Sequence, residues 1–321
     1  MKRVTANASH FDAIKNFGDR FDEHGNLQSL EFLKHYYFDN PYADLHIYLD
    51  DSDEIVGTMG IEEIPYRYKG EKGNFFFGSN WFAATALAGA STYRLWTERN
   101  RRSCLSFGGT DAAHNFFRGA KWTYFEGFQI LVRSINSAAK LNSQAGTILS
   151  QLGRNIETSR HAQDDAISNF AKGFSGGFYS TAESLKYRYN SNLSYISYKW
   201  INIIEAGKIV GLAIFNCGPN EVVLSYCDGI DPVAVAGGVL KGFAQVLGDY
   251  SDLSDMKIRI GSCSPEMIDV WKQANFKASA QRTFAMNKPI IGLTGPDSLS
   301  IDSWNVALDV GDNCLRDRYF R

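Results

Sequence analysis

The chain has 321 residues, of which 44% are hydrophobic and 14% aromatic, and 33 Lys and Arg residues stand against 35 Asp and Glu residues. This composition is that of a globular protein long enough for two domains. The balanced charge argues against a broad polyanion-binding surface, so we expect neither an anionic membrane nor nucleic acid as a partner. No apolar run approaches the roughly 20 residues of a membrane span, and no apolar core follows the basic start. We therefore expect a cytoplasmic protein.

Five cysteines lie scattered along the chain without a C-x-x-C pair, and six histidines show no spacing typical of metal ligands. These patterns argue against a disulfide framework and against a zinc site. We expect reduced cysteines and no metal.

Hydrophobic periodicity predicts the same order of elements in both halves: two helices, a three-stranded meander, a helix, a strand, a helix and a closing strand region. In the first half, the predicted strands are 45–49, 55–64, 74–83, 103–108 and 122–132, and the helices are 28–38, 86–99 and 111–119. In the second half, the strands are 195–204, 209–216, 221–227, 257–261 and 276–287, and the helices are 181–190, 233–247 and 265–274.

Two further segments are predicted from their composition. The polar stretch 134–164 is expected to connect the halves, with at most one helix. The tail 289–321 carries Trp304, Val306 and Leu308, which we expect to dock as a last apolar patch.

An internal repeat supports this division into halves. Residues 31–40 and 183–192 share Glu, Leu, Lys, Tyr and Asn at the same spacing, 152 positions apart. The tripeptide Ile-Val-Gly opens a predicted strand at 55–57 and again, 154 positions later, at 209–211. The order of elements is therefore the same in both halves.

A meander of three strands, a helix entered through a Gly-containing turn, a parallel strand and a second helix is the order found in the GNAT (Gcn5-related N-acetyltransferase) superfamily. The sequence resembles two GNAT domains in tandem, over 1–133 and 165–288, a layout shared with FemX-like aminoacyl transferases and N-myristoyltransferases. The resemblance implies an α/β (α+β) fold in which each domain has a mixed, mostly antiparallel sheet flanked by helices. It also implies acyl-CoA as the cosubstrate.

The resemblance implies where the cosubstrate binds. In this family a glycine-containing turn at a helix N-terminus binds the pyrophosphate through backbone N–H groups. The matching residues are Gly89, Ala90 and Ser91 in the first half and the segment 234–239 in the second. Both halves lack the usual leading Arg or Gln, and the Ser91 hydroxyl makes the first half the better candidate. The other reading of such Ala-Gly clusters is close packing of a helix on a sheet.

Two further features concern the reacting thioester. The resemblance implies that backbone N–H groups near Phe82 and Ala83 bind the thioester oxygen. Family members commonly carry a Tyr that protonates the departing thiolate, but the matching positions here are Phe117 and Trp271. Because a CoA thiol is acidic, with a pKa of about 8.5 like that of Cys, water or another residue could take this role.

Acyl transfer to an amine also requires a base. Asp111 and His114 are three residues apart on one face of a predicted helix, and Glu62 lies on a strand that would face the acceptor. The alternative readings are that Asp111 or Thr110 caps the helix and that His114 is an ordinary half-buried residue. Alternation along the strand turns only one of Glu62 and its neighbour inward. The alternative for Glu62 is that the two form a solvated pair.

Tyr36, Tyr37 and Asn40 are the candidates for an acceptor pocket, because aromatic rings beside a polar group commonly line sugar and peptide sites. The resemblance implies an N-acyltransferase, most simply an acetyltransferase, that acts on an amine of an amino sugar or a peptide. Two alternatives stay open: a GNAT-like protein without catalysis that senses acyl-CoA or binds a partner, and a FemX-like enzyme that uses aminoacyl-tRNA.

Overall fold

Three antiparallel strands, a helix, a parallel strand and a second helix follow one another in each half of the chain. The computed structural model describes residues 1–22, 25–68, 71–98, 101–162, 176–178, 181–288 and 304–306. The chain divides into unit 1, Met1–Phe125 with Phe284–Leu299, and unit 2, Glu126–Thr283 with Ser300–Arg321. The mixed α/β fold class predicted from the sequence is confirmed.

Unit 1 is a sheet with helices. Its strands are β1 (Lys2–Thr5), β2 (Ala43–Leu49), β3 (Ile55–Tyr68), β4 (Glu71–Ala83) and β5 (Cys104–Phe107). Its helices are α1 (Phe11–Phe21), α2 (Leu30–Leu33), which continues as a π-helical turn over Lys34–Phe38, α3 (Ala86–Thr97) and α4 (Asp111–Gly119). The strands lie in the order β1-β2-β3-β4-β5, and only the last pair is parallel.

Unit 2 repeats this plan. Its strands are β6 (Thr123–Ile135), β7 (Ile156–Arg160), β8 (Gly176–Phe178), β9 (Tyr198–Glu205), β10 (Lys208–Cys217), β11 (Glu221–Gly229), β12 (Met256–Ser262), β13 (Lys277–Met286) and β14 (Trp304–Asn305). Its helices are α5 (Ala138–Gln151), α6 (Ala182–Arg188), α7 (Pro232–Leu247) and α8 (Pro265–Gln273). The main order is β6-β12-β11-β10-β9-β7, with β11 and β12 parallel.

The closing strands are exchanged between the halves of the sequence. Most of β6, from the first half, belongs to unit 2, where it pairs antiparallel with β12 from Met256↔Ile135 to Ser262↔Gln129. The last residues of β13, from the second half, belong to unit 1, where Phe284 pairs with Phe107 of β5. Each parallel strand thus gains its antiparallel neighbour from the other half of the sequence.

The predicted helices and strands are confirmed, with ends within about four residues of the observed ones. The short strands β1 and β7 were not predicted, because few residues in them are buried and the apolar signal is weak. The segment expected to connect the halves contains α5 and β7, which pack within unit 2. Trp304 and Val306 are buried, as expected for the tail, whereas Leu308 lies outside the described residues.

Side-chain caps determine where the helices beside the sheets begin. Thr85, Thr110, Asp231 and Ser264 each precede a helix, and each side chain accepts a hydrogen bond from the backbone N–H three residues later. This contact satisfies one of the N–H groups that the first turn leaves without a partner. Each of these helices therefore begins at a defined residue after a strand.

The described helices include none that is both long and apolar enough to cross a membrane. Within the same described residues, no group of three or more His, Cys, Asp or Glu side chains is arranged to hold a metal ion.

Candidate functional site

Strands β4 and β5 of unit 1 separate after a short paired stretch. They pair only at Phe76↔Cys104 and Phe77↔Leu105, and β4 then continues to Ala83 while β5 ends at Phe107. The predicted residues Phe82 and Ala83 lie on this separated end of β4, paired with Thr58 and Gly57 of β3. Parallel strands that part at their carboxyl ends leave an opening there, the usual place for a ligand in α/β proteins.

A β-bulge changes the direction of β4 just before this end. Asn80 has a φ of +48°, in the left-handed region that Asn tolerates better than most residues. Its conformation is held by neighbours on three elements: the Thr58 hydroxyl donates to the Asn80 carbonyl at 2.8 Å, and the Asn26 amide donates to Asn80 Oδ1 at 2.8 Å. The Asn80 amide in turn donates to the Tyr37 hydroxyl at 2.6 Å. The bulge is thus part of a buried polar network.

Tyr37 belongs to this network and not to an open pocket. Its ring is buried, and its hydroxyl also shares a hydrogen bond of 2.8 Å with Ser79. A Cβ atom at Gly60 would overlap the Tyr37 hydroxyl, so the ring reaches β3 only because position 60 is glycine. Asn40 stabilises the turn after the π-helical segment, since its amide donates to the Tyr36 carbonyl at 2.9 Å.

The structure brings two of the predicted residues into direct contact. The buried Tyr36 hydroxyl donates to Glu62 Oε2 at 2.6 Å, and the Glu62 carboxyl is itself buried. Its neighbour Glu63 is exposed, so alternation along β3 turns Glu62 inward. The Tyr36 hydroxyl therefore fixes the position of the Glu62 carboxyl inside unit 1.

The N-terminus of α3 is open in unit 1. Its first two residues, Ala86 and Leu87, are exposed, and Ala88 is buried. The first turn carries no acidic residue and is capped by the neutral Thr85 hydroxyl. A Cβ atom at Gly89 would have Ala83 Cβ as its nearest neighbour at 3.5 Å, an ordinary contact. Ala90 is exposed, and Ser91 lies in the second turn. Backbone N–H groups at this end therefore remain accessible to an anion.

The corresponding helix of unit 2 is closed at the same place. Asp231 caps α7, and Arg154 binds the Asp231 carboxyl at 2.9 Å and Glu205 at 3.0 Å. Cβ atoms at Gly237 and Gly238 would overlap Leu149 and Ile203. In unit 2 the small residues of the Ala-Gly cluster allow α7 to pack closely on its neighbours, which is the alternative interpretation of that cluster.

The α4 residues are arranged differently from the sequence prediction of an acid–base pair. Thr110 is the cap of α4, and Asp111 follows it as an exposed first-turn residue. His114 is half-buried, and its Nδ1 lies 3.4 Å from the hydroxyl of Tyr124, which donates to the His114 carbonyl at 3.0 Å. Burial raises the pKa of Tyr124, against the opposing charge of Arg118. No hydrogen bond joins Asp111 to His114 among the described contacts.

An aromatic cluster connects β4, α3 and α4 beside the separated strands. Trp81 packs on Phe116 and Phe117 at 5.3 and 5.9 Å between ring centroids, and Tyr93 packs on Phe116 at 4.8 Å. The Trp122 indole donates to the Tyr93 hydroxyl at 3.0 Å. Trp81 and Tyr93 are half-buried and Phe116 is 42% exposed, so the cluster presents an apolar surface to solvent.

Both positions that match the family's Tyr are buried. Phe117 lies within the aromatic cluster of unit 1, while the Trp271 indole of unit 2 donates to the Ala236 carbonyl at 3.1 Å. Tyr124, which sequence reasoning missed, is a hydroxyl-bearing ring that hydrogen-bonds α4 through His114. An aromatic residue near a strand start gave a core signal, and only the fold brings its hydroxyl to His114.

No protein-family model and no curated protein sequence matches the chain. Solved structures do match. One is a conserved Enterococcus faecalis protein described as a probable N-acyltransferase (10% identity, 88% of this chain and 71% of that chain, TM-score 0.57). Another is a GCN5-related N-acetyltransferase from Anabaena variabilis (10% identity, 89% and 72%, TM-score 0.57). The chain has the GNAT fold. A third similar structure is Saccharomyces cerevisiae N-myristoyltransferase with bound myristoyl-CoA (10% identity, 94% and 87%, TM-score 0.55).

Proposed function

We propose that this protein is an acyl-CoA-dependent N-acyltransferase whose donor site lies in unit 1. The observation that carries the proposal is the open, neutral N-terminus of α3 beside two parallel strands that separate after two paired positions. Similar solved structures described as N-acyltransferases agree with it. We further propose that the two units are tandem GNAT-like domains, since their elements follow the same order, and that the protein is cytoplasmic.

The donor would be held by backbone groups. The N–H groups of the first α3 turn and the Ser91 hydroxyl would bind the pyrophosphate, and Gly89 and Ala90 would leave room for its approach. The N–H groups near Phe82 and Ala83 would bind the thioester oxygen. The apolar surface of Trp81, together with its aromatic neighbours, would contact the acyl chain or the pantetheine arm.

The reaction would be a direct transfer. The amine lone pair attacks the thioester carbonyl carbon, and the C–S bond breaks as the C–N bond forms. His114 or Asp111 would accept the proton that the amine loses, and the Tyr124 hydroxyl, kept protonated by its raised pKa, would protonate the thiolate. Glu62 with Tyr36 and Asn40 would support the acceptor side from within unit 1, and we propose an amino sugar or a peptide amine as the acceptor.

Titration calorimetry with acetyl-CoA and then CoA tests the donor site. We expect micromolar binding of both by the wild type and loss of binding in Gly89→Leu, because the new side chain fills the space at the helix N-terminus. The matched control is Gly146→Leu in α5, where a Cβ meets nothing within 4 Å, and it should bind like the wild type. Unchanged affinity in Gly89→Leu would contradict the assignment.

A specific observation favours a second function, acyl-CoA binding without turnover. Phe117 and Trp271 have no hydroxyl group, and among the described contacts no hydrogen bond joins Asp111 to His114. A protein of this kind would bind acetyl-CoA but release no CoA thiol with any acceptor. Measuring thiol release against a panel of amino sugars and peptides separates the two functions.

A further inference from the structure

Four arginines surround an open cavity beside α3 in unit 1. The cavity has a volume of about 710 Å³. Its lining residues come from β1, β2, α3 and the turn before β5, and they are Arg3, Tyr48, Ser91, Arg94, Leu95, Glu98, Arg101 and Arg102. A cavity of this size lies within the range of sites for small ligands.

The charges of the lining residues do not cancel. Glu98 is the one carboxylate among them, and it pairs with Arg102 at 2.9 Å. Arg3, Arg94 and Arg101 are exposed, and their guanidinium groups form no ion pair or hydrogen bond in the described part of the chain. The cavity thus has three positive charges without a counter-ion among the described residues.

Two of the lining groups are held in place. The Arg102 guanidinium lies 4.5 Å from the centre of the Phe76 ring in addition to its pair with Glu98. The Tyr48 hydroxyl donates to the Ser91 carbonyl at 3.2 Å, which ties α3 to β2 beside the cavity. Burial lowers the pKa of nearby His46, and Arg3 and Arg102 add to that effect while Asp44 opposes it.

We propose that this cavity binds a phosphate monoester. A guanidinium group presents two parallel N–H donors that match two phosphate oxygens. Several positive charges also match the charge of a phosphate dianion better than the single charge of a carboxylate ligand. Net charge over the whole chain is −2, so the positive field is local to this cavity.

The phosphate could belong to either of two kinds of molecule. Ser91 follows the first α3 residue, Ala86, by five positions, or about 8 Å along the helix axis. A 3′-phosphate of a CoA molecule bound at the α3 N-terminus could therefore reach the cavity. A separate phosphorylated metabolite could bind there as well, and the inference does not depend on acyl transfer.

The test uses calorimetric titration of the full chain with inorganic phosphate, at constant ionic strength set with chloride, and with CoA and dephospho-CoA. The variant is the double substitution Arg3→Gln with Arg94→Gln, and Arg20→Gln in α1, outside the cavity, is the control. We expect phosphate binding to weaken about ten- to a hundredfold in the double variant, because hydrogen bonds to charged groups are lost. Arg94→Lys, which retains the charge, should lose less. Circular dichroism checks that each variant is folded.

The outcomes separate the two sources. If the wild type prefers CoA to dephospho-CoA and the double variant does not, the cavity binds the 3′-phosphate of the donor. If both CoA forms bind equally while phosphate binding still depends on the arginines, the ligand is a separate phosphate monoester. Equal phosphate affinity in wild type and double variant, without a CoA preference, overturns the proposal. Absence of any CoA binding would count against the proposed function alone.

Discussion

Helices α3 and α7 occupy the same place in the order of their units, yet α3 begins with two exposed residues and α7 with two half-buried ones. Leu87 at the start of α3 is 66% exposed, and 4 of the 12 residues of α3 are buried, whereas 12 of the 16 residues of α7 are buried. The difference in burial arises from the helices that pack against α7. Leu149 of α5 packs at Gly237, and Trp271 of α8 bonds the Ala236 carbonyl.

The comparison shows that one small-residue pattern can serve two physical purposes. At Gly237 and Gly238, the missing side chain makes room for neighbouring residues of the same unit. At Gly89, the missing side chain leaves room for something outside the chain. The capping groups of the two helices also differ in charge, since α7 starts at a carboxylate bound by Arg154 and α3 starts at a neutral hydroxyl. Of these two helix N-termini, the one that we propose for an anion is that of α3.

The largest expected effect breaks the packing of α7. Gly237→Leu should lower the free energy of unfolding by about 3 kcal/mol, because the added side chain must displace Leu149 from a full core. Gly89→Leu in α3 should change it by less than about 1 kcal/mol. Urea unfolding followed by tryptophan fluorescence measures both. Equal losses for the two variants would mean that α3 is packed as tightly as α7.

A smaller effect follows from exchanging the caps. Thr85→Asp keeps a good capping side chain but places a carboxylate where the donor pyrophosphate is proposed to bind. We expect unfolding stability to stay within about 0.5 kcal/mol of wild type, while CoA affinity falls about tenfold through charge repulsion. Calorimetry with CoA measures the affinity.

The reverse exchange provides the matched control. Asp231→Thr removes a carboxylate from α7 and one partner of Arg154, so it should cost about 0.5–1 kcal/mol of stability without creating a CoA site. CoA binding that is unaffected by Thr85→Asp, or that appears in Asp231→Thr, would refute the assignment of the donor site to unit 1.

The smallest effect concerns one cysteine in each unit. Burial raises the pKa of Cys104 in unit 1 and of Cys217 in unit 2 to about 12. A thiol whose pKa is raised by folding stabilises the protein fully below its unfolded pKa, near 9, and this contribution is lost as the pH rises toward 12. Stability should therefore decline above pH 9, and less so in Cys104→Ala or Cys217→Ala than in wild type, relative to each protein at pH 8. Urea unfolding at pH 8–11 measures the decline.

Alkylation with iodoacetamide compares the two thiols directly. At pH 8 a thiol with a pKa of about 12 is ionised in about one molecule in ten thousand, so both should react slowly in the folded protein. Cys217 is half-buried while Cys104 is buried, so Cys217 should react first. Rapid modification of Cys104 in the folded chain would show that its surroundings open.

Much of the fold could be predicted from local patterns. Alternation along β3 predicted that one of two adjacent glutamates turns inward, and the structure shows that it is Glu62. The periodicity of α3 and α4 predicted both helices, because amphipathic spacing and caps act within a few residues of each other. The candidate site was less accessible to such reasoning. Tyr124 reaches His114 across ten positions of sequence, and a Tyr in an aromatic strand start carries no signal for that contact.

The sequence by itself determined the order of the elements and the repeat of that order, since helix and strand periodicity and capping depend on neighbouring residues. Tertiary structure alone decided that the closing strands are exchanged between the halves of the sequence. It likewise decided that Arg154 and Leu149 pack against the N-terminal half of α7. It also decided that arginines from β1, from α3 and from the turn before β5 meet at one cavity. These contacts join residues distant in the chain, and only the packing of whole elements brings such residues together.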